Sequence, residues 1–238
     1  MSLTEIISDS IKYPFSDITK FLMVGVLVVL AGLSSVVTLF APDNTALITI
    51  SGIIGIIFAL ILSGYCVDVI KKGIEYSDEI PDIDLMRNLV NGIKTFIIGI
   101  VYFIIPIIIV VILAMITGVI GAGLDQVVAA LGVTAIIAII VFILFAIFEL
   151  VALARFADTE ELGAALDIGA VFEDVKKIGL LKIIAFVILA FIIIVIAMII
   201  SSILAVIPYI GLILSLLIMG AFIALFYYKA LGLLYAEA

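Results

Sequence analysis

Long runs of apolar residues alternate along the chain with shorter segments that carry all of its charges. The runs cover residues 21–40, 46–67, 95–119, 127–148, 183–207 and 209–228. Each reaches the length of about 20 residues that a helix needs to cross the apolar core of a bilayer. The pattern therefore predicts an all-α integral membrane protein with six transmembrane helices.

Amphipathic segments precede the first, third and fifth runs. Their apolar residues recur at intervals of three and four, which places them on one face of a helix. The three stripes are Ile7, Ile11, Phe15 and Ile18; Leu85, Leu89, Ile93 and Phe96; and Ile168, Phe172, Val175 and Ile178. Such stripes predict amphipathic interfacial helices in the plane of the lipid headgroups, although they also fit ordinary helices packed over loops.

Short and long connections alternate between the runs. The short turns are at residues 41–45, 121–125 and 208–209, and the long connections are at residues 68–94 and 149–182. Short turns join antiparallel neighbours, so the runs are expected to form three hairpins, each preceded by an interfacial helix. Each such unit would be one repeat within a single membrane domain of residues 1–238, with a possible pseudo-threefold axis. The repeat units are roughly residues 2–74, 82–158 and 159–238.

The basic residues are confined to one set of segments. All 11 Lys and Arg residues lie in the N-terminal segment, the long connections or the C-terminal tail. Positive residues are enriched in cytoplasmic loops. We therefore expect a multi-pass protein of the cell membrane with cytoplasmic N and C termini.

Two helix starts have capping signals. Ser2 with Glu5 matches a capping box, and Asp158 with Glu161 resembles one. Asp82 and Asp84 follow a proline and are more typical of helix caps than of a divalent-metal pair.

Composition excludes several classes of protein. Hydrophobic residues make up 67% of the chain and charged residues 13%, which is too little polar surface for a water-soluble globule. The net charge of -8 is spread over short segments, so nucleic acid is not an expected partner. With one cysteine and no histidine, neither an internal disulfide nor a Cys/His metal site can form, and no cofactor is expected.

Four short motifs are spread over nearly the whole chain: EIISDSIKYP at residues 5–14, IPD at 80–82, NGIK at 91–94 and LGLLY at 231–235. With these motifs the chain resembles the uncharacterised integral-membrane proteins called domain of unknown function 4013, which are frequent in methanogenic archaea. The resemblance implies a membrane topology and no particular activity.

No catalytic constellation is found in the predicted spans. Intramembrane chemistry needs an ionisable or nucleophilic group at depth, and the polar residues near the middle of the spans are hydroxyls. Without histidine and without a lysine near mid-span, a serine nucleophile has no base. The turn GAGLD at residues 121–125 departs from the Gly-x-Gly-Asp motif of intramembrane aspartyl proteases, and no second intramembrane aspartate exists. The protein is therefore expected not to be an enzyme.

Small residues recur at four-residue intervals in two of the spans. The two ladders are Ser51, Gly55, Ala59 and Ser63, and Ala197, Ser201 and Ala205. Such ladders allow helix backbones to approach closely, so these residues are expected to mark helix packing.

Four charges lie where the even-numbered spans end: Asp68, Glu149, Arg155 and Lys229. About a pseudo-threefold axis they could form one cytoplasmic cluster. Alternatively, each reaches water alone.

Two functions fit these observations. The first is a non-enzymatic organiser of membrane lipid or partner proteins at the cytoplasmic leaflet, with a homo-oligomer as one form of partner, because the interfacial helices face one leaflet. The second is a transporter or channel for a small or lipid-like substrate, suggested by the repeats, by Pro106 within a span and by the span hydroxyls. The lack of a mid-span charge disfavours ion coupling.

Overall fold

The computed structural model describes residues 1–116 and 124–238, and these are organised as helices. The helices are α1 (Leu3–Lys12), α2 (Ile18–Ala31), α3 (Leu33–Phe40), α4 (Thr45–Ile74), α5 (Leu85–Ile116), α6 (Leu124–Thr159), α7 (Leu162–Leu166), α8 (Ile168–Ile178), α9 (Leu180–Ala205), α10 (Gly211–Leu214) and α11 (Ala221–Tyr235). A 3-10 turn, Tyr13–Phe15, follows α1, and a π-helical segment, Ser215–Gly220, joins α10 to α11. The all-α class is confirmed. Most of the predicted turn 121–125 lies outside the described residues.

Several of these helices are long and apolar enough to cross a membrane. Within the described residues they are Thr45–Ile74, Leu85–Ile116, Thr134–Thr159, Leu180–Ala205 and Gly211–Tyr235. A sixth candidate is the pair Leu3–Phe15 and Ile18–Ala31, which passes the same test together but is bent by 88°. The chain is therefore consistent with a protein of five or six membrane spans.

The predicted first span, residues 21–40, is not one uninterrupted helix. Helix α2 ends at Ala31 and α3 begins at Leu33. Between them lies Gly32, whose backbone angles of φ -90° and ψ 18° are not those of an α-helix. Glycine is the residue least favourable to a helix interior after proline, so a break at this position has a local cause.

The second amphipathic segment is continuous with its span, which corrects the expectation of a separate interfacial helix there. Helix α5 runs unbroken from Leu85 to Ile116. The reason is that this segment itself already packs against α4. A Cβ atom built on Gly92 would overlap the carbonyl oxygen of Leu60, so the two backbones are in direct contact and keep the segment in line with the span.

The capping box at the N-terminus is confirmed. The Glu5 amide donates to Ser2 Oγ at 3.3 Å, and the Ser2 amide donates to Glu5 Oε2 at 2.7 Å. Asp84 also caps as expected, accepting the Arg87 amide at 3.0 Å.

The second predicted capping box is wrong. Asp158 lies inside α6, which continues to Thr159 because its last turns are packed in the core at Phe156 and Ala157. Helix α8 is instead capped by Asp167, which accepts the Ala170 amide at 3.1 Å.

Buried side chains concentrate at one end of the spans. The largest core cluster joins the last turns of α4, α6 and α11 to the first turns of α9, and it includes Ile70, Val151, Phe186 and Phe226. Helices α1 and α8 add Ile6, Val171, Val175 and Ile178 to this cluster. At the opposite end, the spans expose apolar residues such as Ile116 and Ile203, as expected for a surface that faces lipid.

Candidate functional site

The small-residue ladder in α4 contacts a neighbouring helix at one end only. Ser51 and Gly55 are buried, and a Cβ on Gly55 would come within 2.9 Å of the Ala31 carbonyl oxygen of α2. Ala59 is exposed and Ser63 is half-buried. Spacing alone therefore identifies the α2 contact but not how far it extends.

The ladder in α9 is likewise buried at its beginning and exposed further along. Ala197 is buried, Ser201 forms a hydroxyl contact with Ser215 of the π-helical segment, and Ala205 is exposed. Ser215 Oγ also lies 3.1 Å from the carbonyl oxygen of Ser201. The contact joins the two last spans near the ends that are remote from the core.

The four charges at the span ends do not share one contact. Asp68 accepts hydrogen bonds from Arg87 at 2.8 Å and from Asn88 at 2.6 Å. Within the described residues, no ion pair joins two of Asp68, Glu149, Arg155 and Lys229. The structure thus places them in distinct environments instead of one shared contact.

Arg155 fixes the second long connection to α6. Its guanidinium donates to Asp174 at 2.6 Å and to the Ala164 carbonyl oxygen at 3.1 Å. Tyr235 also donates to Asp174, at 2.9 Å, and Tyr102 donates to the Ala165 carbonyl oxygen at 2.9 Å. Because buried polar groups require partners, these contacts hold the segment from α7 to α8 against the core.

Lys71 makes a further link to the second connection. Its ammonium donates to Glu160, just after α6, and this hydrogen bond lowers the pKa of the Glu160 carboxyl. Glu160 is largely exposed and Lys71 is only half-buried, so the pair adds little to stability.

Lys229 belongs to a group of side chains that hold the first long connection, and this group was not foreseen from the sequence. Its ammonium donates to the Ser77 carbonyl oxygen at 2.6 Å. The other donors are Tyr13 to the Glu79 carbonyl at 2.9 Å, Lys20 to the Ile80 carbonyl at 2.7 Å and Tyr65 to the Pro81 carbonyl at 3.1 Å. We call residues 77–81 the anchored loop. The IPD motif was the only sequence signal at this place.

A cavity of about 490 Å³ lies between α6, α9 and α11. Aliphatic side chains such as Ile147, Leu153 and Ile188 form most of its wall, with Tyr227 and Tyr228 on α11. Ile143 and Ile188 are also more than half exposed, so the cavity is continuous with the outer surface of the spans. Cavities of roughly 300–1,000 Å³ with mainly apolar walls are typical of small-molecule sites.

Among the described residues that line this cavity, Glu149 is the one with a charge. No hydrogen bond or ion pair joins it to another described residue. Gly99 on α5 lies beside the carboxylate. A Cβ at this position would be only 3.3 Å from Glu149 Oε1, so the absence of a side chain leaves room there. The sequence singled out Glu149 as a charge at a span end, but the cavity depends on the packing of three helices and was not predicted.

The cavity lies close to the polar end of its helices. On α9, Ile184 and Ile188 follow Lys182 by two and six residues, which corresponds to about 3 to 9 Å along the axis. On α6, Arg155 is six residues beyond Glu149. The carboxylate is therefore near the boundary between charged and apolar segments, with an apolar surface extending away from it.

Comparison with known proteins identifies one family. The family described as protein of unknown function (DUF4013) matches residues 47–206, about two thirds of the chain, including the IPD and NGIK motifs. No curated protein and no solved structure matches the chain. The chain therefore belongs to the DUF4013 family, and it is a polytopic membrane protein of that family, whose function is unknown.

Proposed function

We propose that the protein binds membrane lipid and organises it at the cytoplasmic leaflet, without catalysing a reaction. The observation that carries this proposal is the cavity between α6, α9 and α11. Its apolar wall reaches the outer surface of the spans, so an alkyl chain can enter sideways from the bilayer. The carboxylate of Glu149 near the polar end suits the head of an amphiphile better than a purely apolar molecule.

Two surface helices support the same function. The 88° bend between the α1 segment and α2 fits a helix in the headgroup plane followed by one that enters the membrane. Phe15, in the 3-10 turn after α1, and Phe172, on α8, are 56% and 44% exposed, while Ile6 on α1 and Val171 on α8 are buried in the core. The stripes on α1 and α8 would thus contact protein on one side and lipid on the other.

The wider architecture is part of this proposal. Contacts of α4 with α2 and α3, of α5 with α6, and of α9 with the π-helical segment support three hairpins. The confinement of Lys and Arg to the termini and long connections supports a cytoplasmic location for the packed end. Three repeats and six spans follow if α2 and α3 together form the first span.

Filling the cavity should prevent lipid from binding. Ala146 lines the cavity, whereas Ala135 is exposed on the same helix about 16 Å away. With a photoactivatable long-chain lipid, the wild-type protein should cross-link within α6, α9 or α11. Ala146→Phe should reduce this labelling at least tenfold and Ala135→Phe should not. Equal labelling of the two variants would contradict the proposal.

A transporter or channel for a lipid-like or small substrate is the second candidate. The specific observation in its favour is the π-helical segment Ser215–Gly220, since π-helical turns within α-helices frequently lie at functional sites. Pro106 is also buried within α5. In proteoliposomes, movement of lipid or solute that Ser215→Leu blocks would favour this function over lipid organisation alone.

A further inference from the structure

Glu149 is partly buried near the packed end and has no protein partner, in contrast to two other acidic residues there that are withdrawn from water. Asp174 is contacted by Arg155 and Tyr235, and Asp68 by Arg87 and Asn88. A carboxylate withdrawn from water without a partner is costly, and an ionisable residue among membrane helices is by default a functional candidate.

The nearby basic residues are engaged elsewhere. Arg155 is bound to Asp174, and Lys182 donates to Glu237 at 2.7 Å. Lys94, on the α5 segment that leads to Gly99, lies over the ring of Phe156 at 5.5 Å from its centroid. A positive group that pairs with Glu149 would therefore have to come from outside the described residues.

We propose that Glu149 selects an amphiphile with a cationic amine head, whose ammonium pairs with the carboxylate while its alkyl chain occupies the cavity. This inference rests on the proposed lipid-binding function and specifies the chemical class of the ligand. The apolar side chains that line the cavity suit an alkyl chain, and the position of Glu149 near the charged segments suits a polar head.

Other occupants fit less well. An anionic phosphate head would lie against a carboxylate, and no basic residue is among those that line the cavity. A divalent cation such as Ca²⁺ takes six to eight oxygen ligands, and the described residues contain no group of three or more acidic, His or Cys side chains suited to a metal. A single monovalent ammonium needs one carboxylate.

The strength of the selection follows from the pairing of charges. A hydrogen bond to a charged group contributes about 1.5 to 3 kcal/mol, which corresponds to roughly a tenfold to hundredfold change in Kd. Hexadecylamine and hexadecanol have the same chain length, and the amine is protonated at pH 7 whereas the alcohol is neutral. The two therefore form a matched pair of probes.

The test compares these two probes and a third, anionic one, hexadecanoic acid, on the full chain in nanodiscs by competition against the photoactivatable lipid. In the wild-type protein, hexadecylamine should compete at least tenfold better than hexadecanol, and hexadecanoic acid should compete worst. Glu149→Gln should remove the preference for the amine while both probes still bind. Glu173→Gln, an exposed carboxylate paired with Lys176, is the control and should keep the preference.

The outcomes separate the two proposals. Equal competition by amine and alcohol in the wild-type protein would overturn selection by Glu149 and leave lipid binding intact. Preference for the amine that persists in Glu149→Gln would overturn it as well. Failure of all three probes to compete, with no effect of Ala146→Phe, would overturn the proposed function itself. The comparison of amine with alcohol in the wild-type protein tests the selection even if a Glu149 variant is unstable.

Discussion

At the scale of single residues, four-residue spacing did not identify a glycine of α4 that lies in direct contact with α5. The predicted ladder of Ser51, Gly55, Ala59 and Ser63 is buried at its first two members, whereas the direct contact is at Gly64, opposite Gly92. Four-residue spacing shows that residues share a face, but it does not show which neighbouring helix that face meets. The face that α4 turns towards α5 depends on the packing of the two helices, and the sequence of α4 alone does not show it.

Gly64→Ala should destabilise the protein because its Cβ would overlap the carbonyl oxygen of Asn88. The expected loss is about 1 to 3 kcal/mol, as for other overpacked cores, measured by thermal or denaturant unfolding in one detergent. Gly132→Ala is the control, since nothing lies within 4 Å of a Cβ there. Alanine is also a better helix former, so the control should be neutral or slightly stabilising. Equal losses would mean that close approach is not the cause.

At the scale of helices and loops, contacts between residues close in sequence were predictable, whereas contacts between residues far apart in sequence were not. The caps at Ser2 and Asp84 follow from residues three positions apart, and both were foreseen. The anchored loop is instead held by Tyr13 and Lys229, which are 66 and 152 residues from the carbonyls they contact. Such contacts depend on tertiary packing, so hydropathy could show only that the segment is a polar connection.

Tyr65→Phe should loosen the anchored loop because it leaves the buried Pro81 carbonyl oxygen without its donor. An unmet buried acceptor costs about 1 to 3 kcal/mol, so amide hydrogen exchange in residues 75–84 should accelerate about fivefold or more. Tyr76→Phe changes a 53% exposed side chain immediately before the anchored loop and should leave exchange unchanged. If the two variants exchange alike, the Tyr65 hydroxyl is not an anchor.

At the scale of the whole molecule, composition and hydropathy were sufficient for the class of fold. They predicted an all-α membrane protein and all five of the long apolar helices, because burial in lipid depends on runs of about 20 residues that can be counted. They did not predict the break at Gly32 or the continuity of α5 across residue 94. The break has a local cause in Gly32, which hydropathy does not register. The continuity of α5 and the cavity beside Glu149 depend on how neighbouring helices pack.

Labelling of single cysteines should decide the topology. In a Cys66→Ala background, Asn44→Cys should react with an impermeant thiol reagent on intact cells, whereas Glu75→Cys should react only after permeabilisation. Six spans place both termini on one side, so Asp9→Cys and Ala238→Cys should behave like Glu75→Cys. Reaction of one terminus but not the other on intact cells would indicate an odd number of spans.

Because buried side chains are concentrated at one end of the spans, the two leaflets surround helix ends that differ in how tightly they pack. One leaflet surrounds helix ends that are held together by the packed core. The other surrounds helix ends that expose apolar side chains, and their spacing depends on the acyl chains between them. Lateral pressure and bilayer thickness should therefore alter the distances between the exposed helix ends while the packed end keeps its structure. Removal of lipid during purification should disorder the exposed helix ends first.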